Sequence, residues 1–124
     1  MDARLILVID PDPTTRMLMS EVLEPEGYRV DTMFAEPLTS DAPDGCIPDL
    51  VLYGVTNLTG AALSAIARLH ARLPGTPLVL VTTSPDGLAW ARQVNAAGFL
   101  LEPFDIEDLL TIIERTIRPA GPSD

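Results

Sequence analysis

The stretch PDLVLYGVTN, residues 48–57, decides the fold of this chain. Its turn-type pair Pro48-Asp49 leads into residues 50–53, which are all apolar. A continuous apolar run suggests a strand that is buried on both faces, as the strands of parallel sheets are. The run stops at Gly54, where the chain must turn, so the strand ends without delivering a side chain.

Four further apolar runs of strand length flank this one, and helical patterns fill the intervals between them. The runs are residues 5–9, 28–34, 78–81 and 99–101, and the helical patterns cover residues 12–27, 59–75, 84–98 and 105–119, with one short turn at 37–41. Strict alternation of strand and helix favours a parallel sheet with helices on both faces. The sequence therefore predicts an α/β fold with a doubly wound five-stranded parallel sheet. Its functional crevice should lie outside the carboxyl ends of the strands.

Each of the four long helical patterns begins with a residue that can cap a helix. Asp12, Thr59 and Ser84 stand at the predicted N-cap positions of the first three helices. Asp105 precedes the last helix, and Asp108 lies three residues further on, at the second position of a capping box. These residues predict where the helices start.

Composition limits the classes of function. The chain has 124 residues, which argues for one domain, predicted at 1–118 with a flexible tail at 119–124. Its 8 basic and 18 acidic side chains give a net charge of −10, which opposes binding to nucleic acid or an anionic membrane. Cys46 is the only cysteine, so an intramolecular disulfide is excluded and a cytoplasmic location is expected. The apolar run at 5–9 is too short for a signal segment or a membrane span.

Polar side chains follow two of the predicted strands. Asp10 and Asp12 come after the first strand, where paired carboxylates are a plausible Mg²⁺ site, although Asp12 is also explained as a helix cap. Thr82 and Thr83 end the fourth strand, where hydroxyls either serve the crevice or bond to the local backbone. The single histidine, His70, is expected to be exposed, and no Ser/His/Asp set or Gly-rich phosphate loop stands at the strand ends. Nothing in these patterns indicates an enzyme.

Four ordered segments carry a resemblance to a known family. They are RLILVIDPDPTTRMLM at 4–19, PDLVLYGV at 48–55, TPLVLVTT at 76–83 and AAGFLLEPFDIEDLLTII at 96–113. In this order they resemble the receiver domain of two-component response regulators, over residues 4–118. The resemblance implies a flavodoxin-like, three-layer α/β/α sandwich with strand order 2-1-3-4-5.

The resemblance also assigns the positions of the receiver's phosphorylation machinery. In receivers an aspartate at the end of the third strand accepts a phosphoryl group, two acidic residues hold Mg²⁺, and a hydroxyl and a lysine complete the site. Here the acceptor position is Gly54, Asp10 and Thr82 are retained, and Pro11 and Glu102 stand in place of the second acid and the lysine. Gly54 cannot form an acyl phosphate, and Glu102 adds repulsion where receivers supply a cation. The chain is therefore interpreted as a degenerate pseudo-receiver with no cofactor and with Mg²⁺ binding weak or absent.

Three functions follow from this interpretation. The favoured one is a signalling module in a two-component (phosphorelay) context that acts by phosphorylation-independent protein–protein interaction. The alternatives are an atypical receiver that is phosphorylated at a non-standard site and a small-molecule binder that uses the vacated acceptor pocket at Gly54. The peptide bond between Glu102 and Pro103 is expected to be cis, as the Lys-Pro bond of receivers is.

The predicted interaction surface is the face that receivers build from their last two helices and last strand (their α4-β5-α5 face). It is assigned Leu88 and Trp90, of which at least one should be exposed, together with Phe99, Leu101 and Ile112. Ile112 is expected beside Phe99, the receiver's aromatic switch position, and to point to solvent or a partner. The opposite, core-facing stripe of the last helix is predicted to hold Ile106, Leu109, Leu110, Ile113 and Ile117. A protein partner or a second copy of the chain is expected to bind this surface.

Overall fold

A computed structural model describes residues 4–34 and 47–117 of the chain. The strands are β1 (Leu5–Ile9), β2 (Arg29–Met33), β3 (Leu50–Gly54), β4 (Leu78–Thr82) and β5 (Gly98–Leu101). The helices are α1 (Pro13–Leu23), α2 (Gly60–Arg72), α3 (Gly87–Gln93) and α4 (Ile106–Ile117), and a short 3₁₀ turn, Glu24–Glu26, follows α1. The turn predicted at 37–41, Cys46 and the tail predicted at 119–124 lie outside the described residues.

The five strands form one parallel sheet with the order β2-β1-β3-β4-β5. The central strand, β3, pairs with β1 on one side and with β4 on the other. The connections through α1, α2 and α3 run back over the faces of the sheet, with α1 on one face and α2 and α3 on the other. The predicted doubly wound, flavodoxin-like architecture is therefore confirmed.

Alternation along the strands divides the core into two layers. On β3, Leu50 and Leu52 pack with α1 and α4, whereas Val51 and Tyr53 pack with α2 and α3 on the opposite face. Nearly every residue of β1, β3 and β4 is buried, because both faces of these strands are covered by helices. Gly54 is the last residue of β3 and lies at the carboxyl edge of the sheet.

The helix starts agree with the predicted caps in three of four cases. Asp12 accepts a hydrogen bond from the Thr14 N–H at the start of α1, and Thr59 accepts one from the Ala62 N–H at the start of α2. Asp108 accepts from the Asp105 N–H over 3.3 Å, as a capping box requires.

The predicted start of α3 at Ser84 is wrong. Its hydroxyl oxygen accepts a hydrogen bond from the Asp86 N–H and closes a turn, and the helix begins only at Gly87. Serine can form such local turns as readily as it caps helices, and the sequence does not separate the two.

At the amino edge of the sheet, two side chains tie elements together. Asp49 accepts a hydrogen bond of 2.7 Å from the Leu5 N–H and so joins the starts of β1 and β3. His70 was expected to be exposed but is half-buried, with Nε2 3.0 Å from the Val94 carbonyl oxygen. The helix α2 is thereby linked to the end of α3, so the histidine has a structural partner.

The described helices also fix the labels used below. In chain order α3, β5 and α4 correspond to the elements of the receivers' α4-β5-α5 face, and this surface is called the α3-β5-α4 face. Within residues 4–34 and 47–117, no helix combines the length and the apolar character needed to cross a bilayer.

Candidate functional site

A small cavity of about 190 Å³ lies at the carboxyl edge of the sheet, between the ends of β1, β3 and β4 and the segment after β5. It brings together residues that are far apart in the sequence. Its lining includes the predicted site residues Asp10, Pro11, Asp12, Gly54, Thr83 and Glu102. The topology places them as expected, because the carboxyl ends of parallel strands meet at one edge.

The carboxylate of Asp10 fills the space above Gly54. A Cβ atom at residue 54 would overlap Oδ2 of Asp10 and would stand only 2.6 Å from its Cγ. Asp10 is 8% exposed, and its Oδ1 accepts a hydrogen bond of 2.9 Å from the Asp12 N–H, which fixes the side chain in this position. The absence of a side chain at Gly54 therefore does not leave an empty pocket, because the neighbouring strand supplies a carboxylate.

The cavity is an acidic site in which like charges face one another. Burial raises the pKa of the Asp10 carboxyl, and the charge of Asp12 adds to the rise, whereas the Asp12 N–H and the Arg16 guanidinium oppose it. Burial likewise raises the pKa of Glu102, with further increases from the charges of Asp10 and Asp12. The charges of Asp10 and Asp12 thus make ionisation of the half-buried Glu102 harder.

Arg16 is a functional neighbour that the sequence analysis missed. Its Nη1 donates a 2.6 Å hydrogen bond to the Asp10 carbonyl oxygen, and its guanidinium carbon lies 5.9 Å from the centre of the Phe34 ring. The sequence carries no periodic signal for this contact, because it joins a side chain of α1 to a backbone oxygen just after β1. The guanidinium of Arg16 partly offsets the negative charge of Asp10 at the end of β1.

Asp12 acts as a helix cap, with both carboxylate oxygens engaged. Oδ1 accepts from the Thr14 N–H over 3.0 Å, and Oδ2 accepts from the Thr15 hydroxyl over 3.1 Å. The capping interpretation of Asp12 is therefore confirmed. Its charge nevertheless reaches Asp10 and Glu102 and raises the pKa of both.

The two threonines at the end of β4 differ in placement. Thr83 is exposed and lines the cavity, as predicted. Thr82 is fully buried, is not part of the lining, and accepts a hydrogen bond of 3.2 Å from the Ser84 N–H. The assignment of Thr82 to the pocket is thus wrong, since its hydroxyl serves the local turn.

The donor groups at this edge do not suit Mg²⁺ well. Pro11 has no side-chain oxygen, and three of the four carboxylate oxygens of Asp10 and Asp12 already accept hydrogen bonds. Within the described ranges, no group of three or more His, Cys, Asp or Glu side chains is placed to hold a metal ion.

The bond between Glu102 and Pro103 is cis, as predicted.

A second cavity of about 340 Å³ reaches Gly54 from the side of α2. Its lining is mainly apolar and includes Ile9, Phe34, Tyr53, Ala62 and Ala65. Phe34 is the last described residue before the gap at 35–46. Room for an apolar group therefore exists beside Gly54, on the face away from the carboxylates.

The exposure that the predicted interaction surface requires is found only in part. Leu88 and Leu101 are 52% and 45% exposed, whereas Trp90, Phe99 and Ile112 are half-buried. Phe99 and Trp90 pack on the layer of α2 and α3, but Ile112 packs on the opposite layer, with α1. The expectation that Phe99 and Ile112 lie side by side on an exposed patch is wrong.

Two glycines explain where these side chains go. The Phe99 ring lies against Gly87, where a Cβ atom would overlap it and would stand 2.7 Å from Cγ2 of Thr82. Ile112 lies over Gly98, 3.0 Å from the position of a Cβ atom there.

Ile106, predicted in the core stripe, is 57% exposed because it is the first residue of α4 and precedes the part of the helix that packs on the sheet.

Comparisons with known proteins find related regulators and similar folds. The chain is 31% identical over 122 residues to the "positive alginate biosynthesis regulatory protein" of Pseudomonas aeruginosa, which covers 92% of the chain and 47% of that protein. It is 28% identical over 124 residues to the "DNA-binding transcriptional regulator NtrC" of Escherichia coli (strain K12), over 94% of the chain and 25% of the relative. The chain thus spans between a quarter and a half of the length of these relatives. No protein-family model matches it.

Among solved structures, the chain superposes on a "response regulator receiver domain protein (CheY-like)" from Methanospirillum hungatei JF-1 with a TM-score of 0.74. The match covers 94% of each chain at 21% sequence identity. The fold is that of a response regulator receiver. Relatives and structural neighbours together support a receiver domain.

Proposed function

We propose that the chain is a receiver-like signalling module that acts by phosphorylation-independent protein–protein interaction in a two-component (phosphorelay) context. The receiver fold would then serve to present a surface rather than to accept a phosphoryl group. The proposal includes a cytoplasmic location, no enzymatic activity and no cofactor. A protein partner or a second copy would bind the α3-β5-α4 face.

The position of Asp10 carries the proposal. In receivers an aspartate at the end of the third strand is the nucleophile, and here that position is Gly54, with the carboxylate of Asp10 packed over it. A phosphoryl donor that approached Gly54 would meet a buried carboxylate already bound to the Asp12 N–H, rather than a free acceptor. This arrangement favours an inert site.

Electrostatics supports the same conclusion. A transferring phosphoryl group carries negative charge, which receivers neutralise with Mg²⁺ and a lysine. Here Glu102 stands at the lysine position, and its raised pKa reflects burial and the repulsion from Asp10 and Asp12. An incoming phosphoryl group would add to that repulsion, with Arg16 alone to offset it among the residues described at this edge.

The packing of Phe99 supports a surface that does not need a switch. Its ring lies against Gly87, and the neighbouring Thr82 is held by the Ser84 N–H. Both residues are thus fixed by contacts that involve no phosphoryl group. We infer that the α3-β5-α4 face has one resting conformation and binds constitutively.

Intact-mass spectrometry tests the proposal. The chain is incubated with acetyl phosphate and Mg²⁺, and a receiver that retains its acceptor aspartate serves as the positive control. We expect the mass of the chain to stay unchanged while the control gains one phosphoryl group. A stoichiometric gain would overturn the proposal, and its loss in Asp10→Asn would then identify a non-standard acceptor.

Weak or absent Mg²⁺ binding is a second part of the proposal. Pro11 offers no side-chain ligand, and the hydrogen bonds to Asp10 and Asp12 compete with the metal for their oxygens. Isothermal calorimetry should detect no sub-millimolar binding. Binding in that range would show that Glu102 or backbone oxygens complete a site.

A direct role in DNA binding is not part of the proposal, although one relative is named a DNA-binding regulator. The chain spans only 25% of that relative, and its own net charge is −10. DNA phosphates are met by cationic side chains, which are outnumbered here. Electrophoretic mobility of mixed-sequence DNA should not change when the chain is added.

A second candidate function is the binding of a small apolar molecule. The cavity of about 340 Å³ beside Gly54 supports it, because this volume is at the lower end of the range for ligand pockets. A ligand that binds only the folded chain raises its melting temperature. A thermal-shift screen of apolar compounds without any reproducible rise would remove this candidate.

A further inference from the structure

Two cavities of different character meet at Gly54. The acidic cavity of about 190 Å³ and the apolar cavity of about 340 Å³ share three lining residues, Pro11, Gly54 and Val55. Gly54 contributes only backbone atoms, so no side chain at this residue separates the two spaces. The acidic cavity alone is smaller than an ordinary ligand pocket, whereas a molecule that extends through both cavities has the room that such pockets provide.

The acidic cavity holds a buried carboxylate oxygen that lacks a donor. Asp10 is 8% exposed, and its Oδ1 accepts a hydrogen bond from the Asp12 N–H. Its Oδ2, which lies against Gly54, accepts no hydrogen bond from any residue in 4–34 or 47–117. A buried acceptor without a donor costs free energy, so this oxygen is placed for a donor that the chain itself does not supply.

The apolar cavity holds an aromatic ring that is mostly in contact with solvent. Phe34 lines this cavity and is 67% exposed, whereas Tyr53 and Ala65 of the same lining are buried. A second aromatic ring in the cavity would cover Phe34, and pairs of aromatic rings are stabilised beyond the area that they bury. The volume is sufficient, since an apolar cavity of about 150 Å³ already holds benzene.

Charge decides which end of the joined cavities suits a cation. The charged side chains of the two linings are Asp10, Asp12 and Glu102, and all three belong to the acidic cavity. Arg16 stands beside them and offsets only part of their charge. The apolar cavity is bordered instead by the first turn of α2, which begins at Gly60 and carries the positive end of the helix dipole.

We propose that the joined cavities bind an arylalkylamine, with its ring against Phe34 and its ammonium group at Asp10 and Glu102. This inference rests on the second candidate function, the binding of a small molecule beside Gly54, and names the class of that molecule. An ammonium group brings three N–H donors and a positive charge. Both are what the unpaired Oδ2 of Asp10 and the neighbouring carboxylates lack.

Four probes test the inference in calorimetric titrations of the parent chain. Phenethylamine carries both groups, phenethyl alcohol keeps the ring without the charge, hydrocinnamate replaces the cation by an anion, and propylamine keeps the cation without the ring. Phenethylamine should bind about tenfold or more tightly than phenethyl alcohol, because hydrogen bonds between charged groups are the stronger ones. Hydrocinnamate and propylamine should show no measurable binding.

Two substitutions of glutamate locate the ammonium group. Glu102→Gln should weaken phenethylamine by about fivefold or more and leave phenethyl alcohol unchanged. Glu107→Gln makes the same change of net charge on the exposed first turn of α4, outside both linings, and should weaken phenethylamine by less than about twofold.

Two substitutions in α2 locate the ring. Ala62→Leu places a larger side chain in the lining of the apolar cavity and should weaken both ring compounds. Ala67→Leu makes the same change at an exposed residue outside the lining and should weaken neither. Circular dichroism checks that each variant is folded.

The outcomes separate this inference from the function on which it rests. Equal affinity for phenethylamine and phenethyl alcohol, or equal effects of Glu102→Gln and Glu107→Gln, would overturn the arylalkylamine and leave a binder of small apolar molecules. A lack of binding by every ring compound would overturn both. Neither result depends on phosphorylation, which intact-mass spectrometry tests separately.

Discussion

The two edges of the sheet are built from the same strands but carry different charge. At the carboxyl edge Arg16 is the one basic residue in the described part, against Asp10, Asp12, Asp86, Glu102, Asp105, Glu107 and Asp108. Towards the amino edge lie Arg4, Arg29, Arg68, Arg72, Arg92 and Arg115, alongside Glu21, Glu24, Glu26, Asp49 and Glu114. Helices begin at the first edge and end at the second, and their dipoles favour acids at the start and cations at the end. Helix stability explains most of this difference, but not Asp10 and Glu102.

Individual glycines at the two edges differ in packing. At the carboxyl edge Gly54 and Gly87 each touch a neighbouring side chain so closely that a Cβ atom would overlap it. Gly75, towards the amino edge, has no atom within 4 Å of such a Cβ position. An acceptor side chain at the end of β3 would need the space beside Gly54, and in this chain the Asp10 carboxylate holds that space.

The largest expected effect comes from filling the position above Gly54. Gly54→Asp supplies the acceptor that the proposed receiver alignment lacks, but it forces a carboxylate into the space held by Asp10. Because overpacking and like-charge repulsion act together, the free energy of unfolding should fall by about 3 kcal/mol. Urea denaturation measures this change.

A matched control for that substitution is Gly60→Asp. Gly60 begins α2, and a Cβ atom there meets nothing within 4 Å. An aspartate in the first turn of a helix is favourable, so stability should change by less than about 0.5 kcal/mol. If both aspartates had the same effect, Asp10 would not be the obstacle.

The second largest change in stability is expected at Gly87, against which the Phe99 ring packs. Gly87→Ala places a methyl group against the Phe99 ring and Thr82, which should lower the free energy of unfolding by about 2 kcal/mol. Gly75→Ala, in open space towards the amino edge, should raise it by about 0.5 kcal/mol through the unfolded state. Paired melting curves test the contrast, and a harmless Gly87→Ala would show that Phe99 moves freely.

Two substitutions of Asp12 distinguish its role as a helix cap from the effect of its charge on Glu102. Asp12→Ala removes the acceptor of the Thr14 N–H and should lower the free energy of unfolding by about 1 kcal/mol. Asp12→Asn keeps a capping oxygen and removes a charge that raises the pKa of Glu102, so stability should stay within about 0.5 kcal/mol of the parent. Equal losses in both variants would mean that the charge matters more than the cap.

The smallest effect concerns Glu102 and pH. Its pKa is raised in the folded chain, so the folded state holds the proton more tightly than the unfolded state does. The stability that protonated Glu102 contributes is fully present below its ordinary pKa of 4.5. It is lost as pH rises through the raised pKa that Glu102 has in the folded chain. Glu102→Gln should therefore stabilise the chain at about pH 7, by roughly 0.5 kcal/mol after allowance for solvent screening, and leave it unchanged at about pH 4.

Denaturation curves at the two pH values provide the measurement. The exposed Glu107, in the first turn of α4, is a suitable control, because Glu107→Gln removes a favourable interaction with the helix dipole. It should slightly lower stability near neutral pH, opposite in sign to Glu102→Gln. A gain at about pH 4 equal to that at about pH 7 would show that the effect of Glu102→Gln is not one of charge.

The sequence predicted the sheet well because the runs of β1, β3 and β4 are continuously apolar and helices cover both faces of these strands. It also predicted the caps Asp12 and Thr59, which depend on local hydrogen bonds alone. It did not predict that Asp10 would lie over Gly54. A missing side chain shows in a sequence, but which neighbour takes its place depends on packing between strands.

The same limit explains the errors on the α3-β5-α4 face. Alternation along β5 separates Phe99 from Leu100, but whether Ile112 joins one or the other depends on how α4 crosses the strand. Gly98 lets α4 approach closely, and Ile112 consequently packs beneath the sheet edge instead of beside Phe99. Such contacts arise between elements and leave no periodic signal in either one.

The contact between Asp10 and Gly54 limits what a single substitution at residue 54 can do. A side chain placed there would find its space taken by the Asp10 carboxylate. An acceptor can enter at residue 54 only together with a movement or a shortening of the Asp10 side chain. The two positions are therefore coupled, and the effect of changing both should differ from the sum of the two separate effects.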